Sequence, residues 1–323
     1  MLTLPDIKAK QILFIQTERG AKNRLFFKNE NIVFEKDGEI INQSSCHRII
    51  AVFIIGDYTI TSGLIKECRK RAVTLFLISD NFKIYGSINS KAEGNYLLRM
   101  AQYAAKPEME LEIAKKIVAN KISNQIILLK TTVDSGKGID GDNITCLIDK
   151  AKTTEELLGI EGSFGKVYFN RYFKDIGWYR RMPRVKPDVP NFLLDLGYTF
   201  LFNFIDAILQ LFGFDTYKGY YHKLFFQRKS LACDIMEPFR CLIDKQTKKS
   251  FHLSQINLKD FTVENGRYCL TYDKSQKYAK IYLEAIMENR GQIYLYARKF
   301  YRYVMDNKHN RFPEFSVKTN TVD

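Results

Sequence analysis

The residues best equipped for chemistry lie between His222 and Arg240, in the run His222-Lys-Leu-Phe-Phe-Gln-Arg-Lys-Ser230-Leu-Ala-Cys-Asp234-Ile-Met-Glu237-Pro-Phe-Arg240. One imidazole and two carboxylates fall in a single short segment. On a helix, Asp234 and Glu237 share a face. Leu231, Ile235 and Met236 make that helix largely buried, and buried acids require a partner or a metal. A neutral histidine with carboxylates is a ligand mix that Mg2+ or Mn2+ accepts where phosphate is the substrate. Pro238 follows Glu237 directly, removes a helical hydrogen bond and clashes with the carbonyl of Asp234, so a kink is expected at the acidic pair. The plainer alternatives are a hydrogen-bonded histidine beside Tyr220 and Tyr221, and acids paired with Lys or Arg.

A further acid, Glu161, lies in Leu157-Leu-Gly159-Ile-Glu161-Gly162-Ser-Phe-Gly165-Lys-Val-Tyr168-Phe169. Thr153 and Glu156 form a capping-box pattern at the start of its helix. Gly159, Gly162 and Gly165 recur every three residues, and each costs a helix about 1 kcal/mol relative to alanine. Close approach of another backbone, protein or DNA, would explain them; so would a small-residue stripe for helix packing.

The chain has 323 residues and a formal charge of +14. That charge, with a sequence pI near 9.3, favours a polyanionic partner. Hydrophobic residues make up 46%, enough for real cores. The N-terminus lacks the basic and apolar regions of a signal peptide. No two of the six cysteines form a C-x-x-C pair, so zinc clusters and disulfides are disfavoured, and a reduced cytoplasmic setting is expected. Residues 191–214 are apolar enough to be taken for a membrane span. Asn203, Asp206 and Gln210 mark a polar stripe at helical spacing, so a buried helix and no membrane are predicted.

The pattern predicts an α+β protein: a small β-rich domain over residues 1–90 and a larger all-helical domain over 95–323. Strands are expected at 12–16, 24–27, 31–34, 48–55, 73–78 and 82–85, with a helix at 59–71. Residues 89–94 read as a linker. Helices are then expected over 96–105, 107–130, 145–158, 160–175, 190–212, 231–246 and 275–305. Residues 134–143 read as a loop whose Gly-Lys-Gly lacks P-loop spacing, and the last dozen residues as frayed.

Taken together, Leu-Leu-Gly-Ile-Glu161-Gly…Tyr-Phe, Asn191-Phe-Leu-Leu-Asp-Leu-Gly-Tyr198 and Gly219-Tyr-Tyr-His222…Ser230-Leu-Ala-Cys-Asp234-Ile-Met-Glu237-Pro-Phe-Arg240 resemble, in order, the motifs of the CRISPR-associated adaptation integrase, the first protein of the Cas series. They span roughly residues 155–245, and the β-rich start and helical remainder match that family's plan. The resemblance implies that Glu161, His222 and Glu237 bind a metal, Mg2+ or Mn2+, and that Asp234 is a supporting acid. It implies an endonuclease and integrase of CRISPR adaptation: the 3′-hydroxyl of a short double-stranded DNA fragment attacks a phosphodiester of the CRISPR repeat. It also implies a homodimer paired through the N-terminal domain, bridged by a small ferredoxin-like partner. A nuclease using water alone and a non-catalytic DNA-binding scaffold are the rival readings.

Basic residues would hold the DNA: Arg171, Arg180, Arg181, Arg184 and Lys186, interleaved with Tyr172, Trp178 and Tyr179; Arg228 and Lys229; and Arg298, Lys299 and Arg302 on the last helix. Phosphate contacts position a duplex, and aromatics stack on frayed bases. Removing an acid from the metal cluster is expected to leave the fold intact by relieving repulsion.

Overall fold

The computed structural model describes residues 3–80, 82–89, 94–131, 138–223 and 227–318. A short helix α1 (Leu4–Ala9), capped by Thr3, precedes β1 (Gln11–Gln16), β2 (Asn23–Lys28), β3 (Asn31–Lys36), β4 (Glu39–Ser45), β5 (Ile49–Ile55) and β6 (Thr59–Ile60). Helix α2 (Ser62–Lys70), β7 (Thr74–Ile78) and β8 (Ile84–Ile88) complete the β-rich region. The strands form two four-stranded sheets, ordered β1-β5-β7-β8 and β4-β3-β2-β6. The first is parallel except for β8 at its edge.

Strand β5, Ile-Ile-Ala-Val-Phe-Ile-Ile, is buried at every position, because both of its faces are covered. Val52 and Ile54 meet Leu25, Ile32 and Phe34 of the second sheet. On the other face Phe53 stacks on Phe76 at 4.5 Å and meets Phe200 edge-on at 5.3 Å. The β-rich region therefore shares a core with the helices. Its apolar runs are consumed inside the molecule, leaving Ile40 and Ile41 of the edge strand β4 more than half exposed.

The helical region comprises α3 (Tyr96–Tyr103), α4 (Pro107–Lys130), α5 (Gly141–Lys150), α6 (Thr154–Tyr172), α7 (Val189–Phe212), α8 (Ser230–Met236) and α9 (Arg240–His252). The hairpin β9 (Phe261–Glu264) and β10 (Arg267–Leu270) follows, then α10 (Ser275–Glu288) and α11 (Arg290–Met305). Helix α7 is long and apolar enough to cross a membrane, but 83% of its most apolar window is buried inside the fold. Its Asp206 is buried and paired with Lys229 at 2.6 Å.

Several boundaries differ from expectation. Thr59 and Ile60 pair with β2, and Thr61 caps α2 by accepting from Leu64 N. The break expected near residue 159 falls instead at 151–153, where Thr153 accepts from Glu156 N, so the glycines lie inside α6. The run 231–246 is split, because Pro238 forces a 3-10 turn over Glu237–Phe239. The late hairpin is too short and too exposed to betray itself by alternation. The last residues are not frayed through 318: Phe315 N and Val317 N donate to the side-chain oxygens of Asn120 and Asn124 on α4, and Phe315 packs on Phe239 at 4.4 Å. Most of the expected linker (90–93) and the start of the expected loop (134–137), with the first two residues of its Gly-Lys-Gly, lie outside the described residues.

Helices α6, α7 and α9 meet at one buried acid. Asp244 accepts from the hydroxyls of Tyr168, at 2.9 Å, and Tyr198. Burial pushes its pKa up to about 6, against the opposing pull of those two donors. The stability it contributes is present below the unfolded value of 3.8 and is lost as pH rises through about 6. Thermal melts of Asp244→Asn and the wild type should therefore diverge in the variant's favour as pH rises from 4 to 7, by on the order of 3 kcal/mol. A pH-independent gap would show that Asp244 does not titrate in this range.

Candidate active site

Asp234 organises the segment that presents His222. Its carboxylate is completely buried. It accepts from the backbone N–H groups of Tyr220 (2.6 Å), Tyr221 (3.0 Å) and His222 (2.9 Å). It also accepts from His222 Nδ1 at 2.7 Å. Four donors on one carboxylate account for a buried charge. Gly219 makes the approach feasible: a Cβ there would sit 2.8 Å from Asp234 Oδ2 and 2.8 Å from Ser230 Cβ. With Nδ1 donating to Asp234, the remaining ring nitrogen, Nε2, is an acceptor or ligand.

Glu161 and Glu237 are joined by a residue the sequence reading did not single out. Lys121 of α4 donates to Glu161 Oε1 and contacts Glu237 Oε2 at 2.6 Å. Arg240, the first residue of α9, donates to Glu237 Oε2 at 2.9 Å. The Tyr221 hydroxyl donates to Glu161 Oε2. Burial pushes the Glu237 pKa up, yet Arg240, Lys121 and His222 outweigh it and hold the carboxyl well below its usual range. Lys121 is likewise penalised by burial but raised overall by Glu237 and Glu161. Burial, then Glu161, keeps Tyr221 protonated far above its ordinary value.

Lys121, Glu161, His222, Glu237 and Arg240 all line one cleft of about 1530 Å³. Its far wall is Phe82–Ser87 at the β8 edge, so both regions build it. Of the predicted basic residues, Arg181, Arg184, Lys186, Arg228 and Lys229 line the same cleft, while Arg171 and Arg180 are not among its lining residues. Arg181 also bonds Asn191 and Asp195, which anchors the loop before α7. Two of the three aromatics proposed for stacking are structural: Tyr172 stacks on Tyr168 at 5.3 Å, and Trp178 on Phe169 at 5.8 Å. Tyr179 is 76% exposed. A Cβ at Gly159, Gly162 or Gly165 would meet nothing within 4 Å, so helix packing within the chain does not explain them.

The donor set suits a hard divalent cation: two carboxylates and an imidazole, with a lysine ammonium lying between the carboxylates where positive charge is required. Among the described residues, the group of three acid, thiol or imidazole side chains whose ligand atoms already lie within 4.8 Å of one another is elsewhere, Glu30, Cys46 and His47. That group is committed to protein contacts: Glu30 Oε2 takes His47 Nε2 at 2.9 Å and Arg71 at 2.7 Å. Lys121, Asn124 and Gln125 recur at helical spacing and are buried on α4, but the same helix carries Glu110, Glu112, Lys115 and Lys116, so the sequence alone does not single Lys121 out.

Known proteins share this architecture. The sequence model of the family described as CRISPR associated protein Cas1 matches residues 17–284. The CRISPR-associated endonuclease Cas1 1 of Thermodesulfovibrio yellowstonii is 28% identical over 269 residues, covering 77% of this chain and 85% of the relative. The CRISPR-associated endonuclease Cas1 of Leptospira interrogans is 32% identical over 203 residues, 56% of this chain and 79% of the relative. Among solved structures, a casposase bound to integration product superposes with a TM-score of 0.82 at 21% identity, covering 97% of both chains. A CAS1 protein from Thermotoga maritima gives 0.79 at 18% identity, covering 96% of this chain and all of the other.

Proposed function

The chain belongs to the Cas1 family, and from that premise we propose that it is a metal-dependent DNA integrase and endonuclease of CRISPR adaptation. The observation that carries this is the Glu161–Lys121–Glu237 cluster, set beside the Asp234–His222 pair in a basic cleft. A Mg2+ or Mn2+ ion held by Glu161, His222 and Glu237 would polarise the phosphoryl oxygen and stabilise the leaving 3′-oxygen. The chain's own residues do the rest. Asp234 fixes the imidazole tautomer. Arg184, Lys186 and Arg228 seat phosphates along the cleft. The open glycine face of α6 beside Glu161 lets a DNA backbone come close.

The 3′-hydroxyl of a short fragment attacks a repeat phosphodiester and one strand bond replaces another, so no external energy is needed. Water at the same place gives hydrolysis, a second reading favoured by the name endonuclease that the relatives carry. Labelled DNA ends separate the two. Joined strands support the integrase, and only shortened strands would overturn it in favour of the nuclease. Retained DNA affinity with neither product would identify a scaffold.

Affinity for DNA should fall steeply with salt. Each phosphate neutralised contributes about −0.9 to the slope of log affinity against log salt, so Arg184, Lys186 and Arg228, the predicted cleft cations not tied to Asp195 or Asp206, predict a slope of about −2.7. A slope near zero would contradict a phosphate-dominated interface.

Inserting both ends of a fragment requires two sites at a fixed distance, which a symmetric dimer supplies. The exposed Ile40 and Ile41 on edge strand β4 support pairing through the β-rich region. One structural neighbour is a Cas6-RT-Cas1–Cas2 complex, at a TM-score of 0.78. It supports a Cas protein as partner; that this partner is small and ferredoxin-like and bridges two dimers is what the family resemblance implies. Light scattering should give twice the 37.8 kDa chain mass, and a strict monomer that still inserts both ends would refute the dimer. Six free cysteines fit a cytoplasmic location.

A further inference from the structure

Lys121 occupies the place between Glu161 and Glu237 that a divalent cation would need. Its ammonium is almost wholly buried and touches one oxygen of each carboxylate. The other partners serve one acid each: Arg240 reaches Glu237 and the Tyr221 hydroxyl reaches Glu161. Lys121 is thus the group shared by both, and without it the buried Glu237 and the part-buried Glu161 would face one another with less compensation. An ammonium and a divalent ion cannot both lie between these oxygens, because like charges at contact repel strongly where the dielectric is low. Metal entry therefore requires the ammonium to withdraw.

The way out is the cleft. Lys121 and Gln125 line it, whereas Ile117, Val118 and Ile122, its neighbours on α4, are packed in the core. In the cleft a displaced ammonium loses two carboxylate partners and finds arginines and lysines, unless a phosphate is there to receive it.

We propose that Lys121 is a tethered cation that competes with the divalent ion for Glu161 and Glu237 and, by passing to a DNA phosphate when displaced, couples metal loading to DNA binding. The inference rests on the reading of Glu161, His222 and Glu237 as a metal site. Lys121 is a positioning residue in this scheme: it holds both carboxylates in place before the metal arrives. It makes metal binding weak in free protein and stronger on DNA, and the coupling is reciprocal, so metal tightens DNA to the same degree.

The test is a Mn2+ titration, reading free Mn2+ by electron paramagnetic resonance, of wild type, Lys121→Met and Lys121→Arg, with and without a short duplex. Without DNA, Lys121→Met should bind Mn2+ at least about tenfold more tightly than wild type, since a contacting positive charge is gone. Lys121→Arg should stay near wild type. Duplex DNA should narrow the gap between Lys121→Met and wild type. In EDTA, Lys121→Met should melt at a lower temperature than wild type and recover on adding Mn2+. Lys121→Gln replaces it should the methionine variant not fold.

Equal affinities for wild type and Lys121→Met overturn the competition. Equally tight binding by Lys121→Arg and Lys121→Met overturns the role of charge. A gap that DNA leaves unchanged overturns the coupling. Failure of both wild type and Lys121→Met to bind Mn2+, with and without DNA, is a different result: it removes the metal site and the proposal with it.

Discussion

Replacing Glu161 or Glu237 by glutamine is expected to abolish strand joining, by at least about a thousandfold. A metal acting as Lewis acid supplies several kcal/mol of charge stabilisation, and each 1.4 kcal/mol is about tenfold in rate. The two variants should differ in stability. Glu161 shares Lys121 with Glu237, so its loss leaves the ammonium one carboxylate. Glu237 is nearly fully buried and answers both Lys121 and Arg240, so its loss leaves Lys121 only Glu161 and takes from Arg240 its carboxylate. Removing one partner of a buried pair costs about 3–5 kcal/mol. The sequence-based expectation that deleting an acid would relieve repulsion therefore gives way: the cluster is already compensated by cations. Glutamine keeps the shape, and strand joining with circular dichroism melts reads both effects. Near wild-type joining by Glu161→Gln at saturating Mg2+ or Mn2+ would remove it from the site.

Asp234→Asn should have the second largest effect. The amide keeps an acceptor oxygen but turns an NH2 group toward a nest of donors from residues 220–222. Lost charge-assisted bonds, worth about 1.5–3 kcal/mol each, would lower stability and release the His222 ring. Loss of such an orienting partner typically costs about 10–100-fold in metal affinity or activity. Single-turnover joining at saturating metal, beside a metal titration, distinguishes the two. Unchanged kinetics would leave Asp234 a purely structural anchor.

The legibility of this chain divides along physical lines. Strand β5 and helix α7 declare themselves because burial on all sides forces long apolar runs. The kink at Pro238 follows from one missing N–H. The role of Asp234 as a support for His222 was readable only through the family resemblance, and the backbone bonds that explain it depend on Gly219 admitting the chain. Lys121 was overlooked because a lysine in a helix reads as solvated, and only its tertiary partners, forty and more residues away, bury it. Trp178 and Tyr172 were assigned to DNA because aromatics among arginines resemble a stacking platform; packing against Phe169 and Tyr168 decides otherwise. The ordered tail through residue 318 hangs on Asn120 and Asn124, an arrangement with no local sequence signature.

The central claim is that Glu161, His222 and Glu237 hold one catalytic divalent ion. Anomalous diffraction from crystals soaked in Mn2+ addresses it most directly. The account predicts a peak at coordination distance from Glu161, Glu237 and the Nε2 of His222, with the Lys121 ammonium withdrawn into the cleft. A peak instead at Glu30, Cys46 and His47, with Lys121 still bridging the two carboxylates, would contradict it.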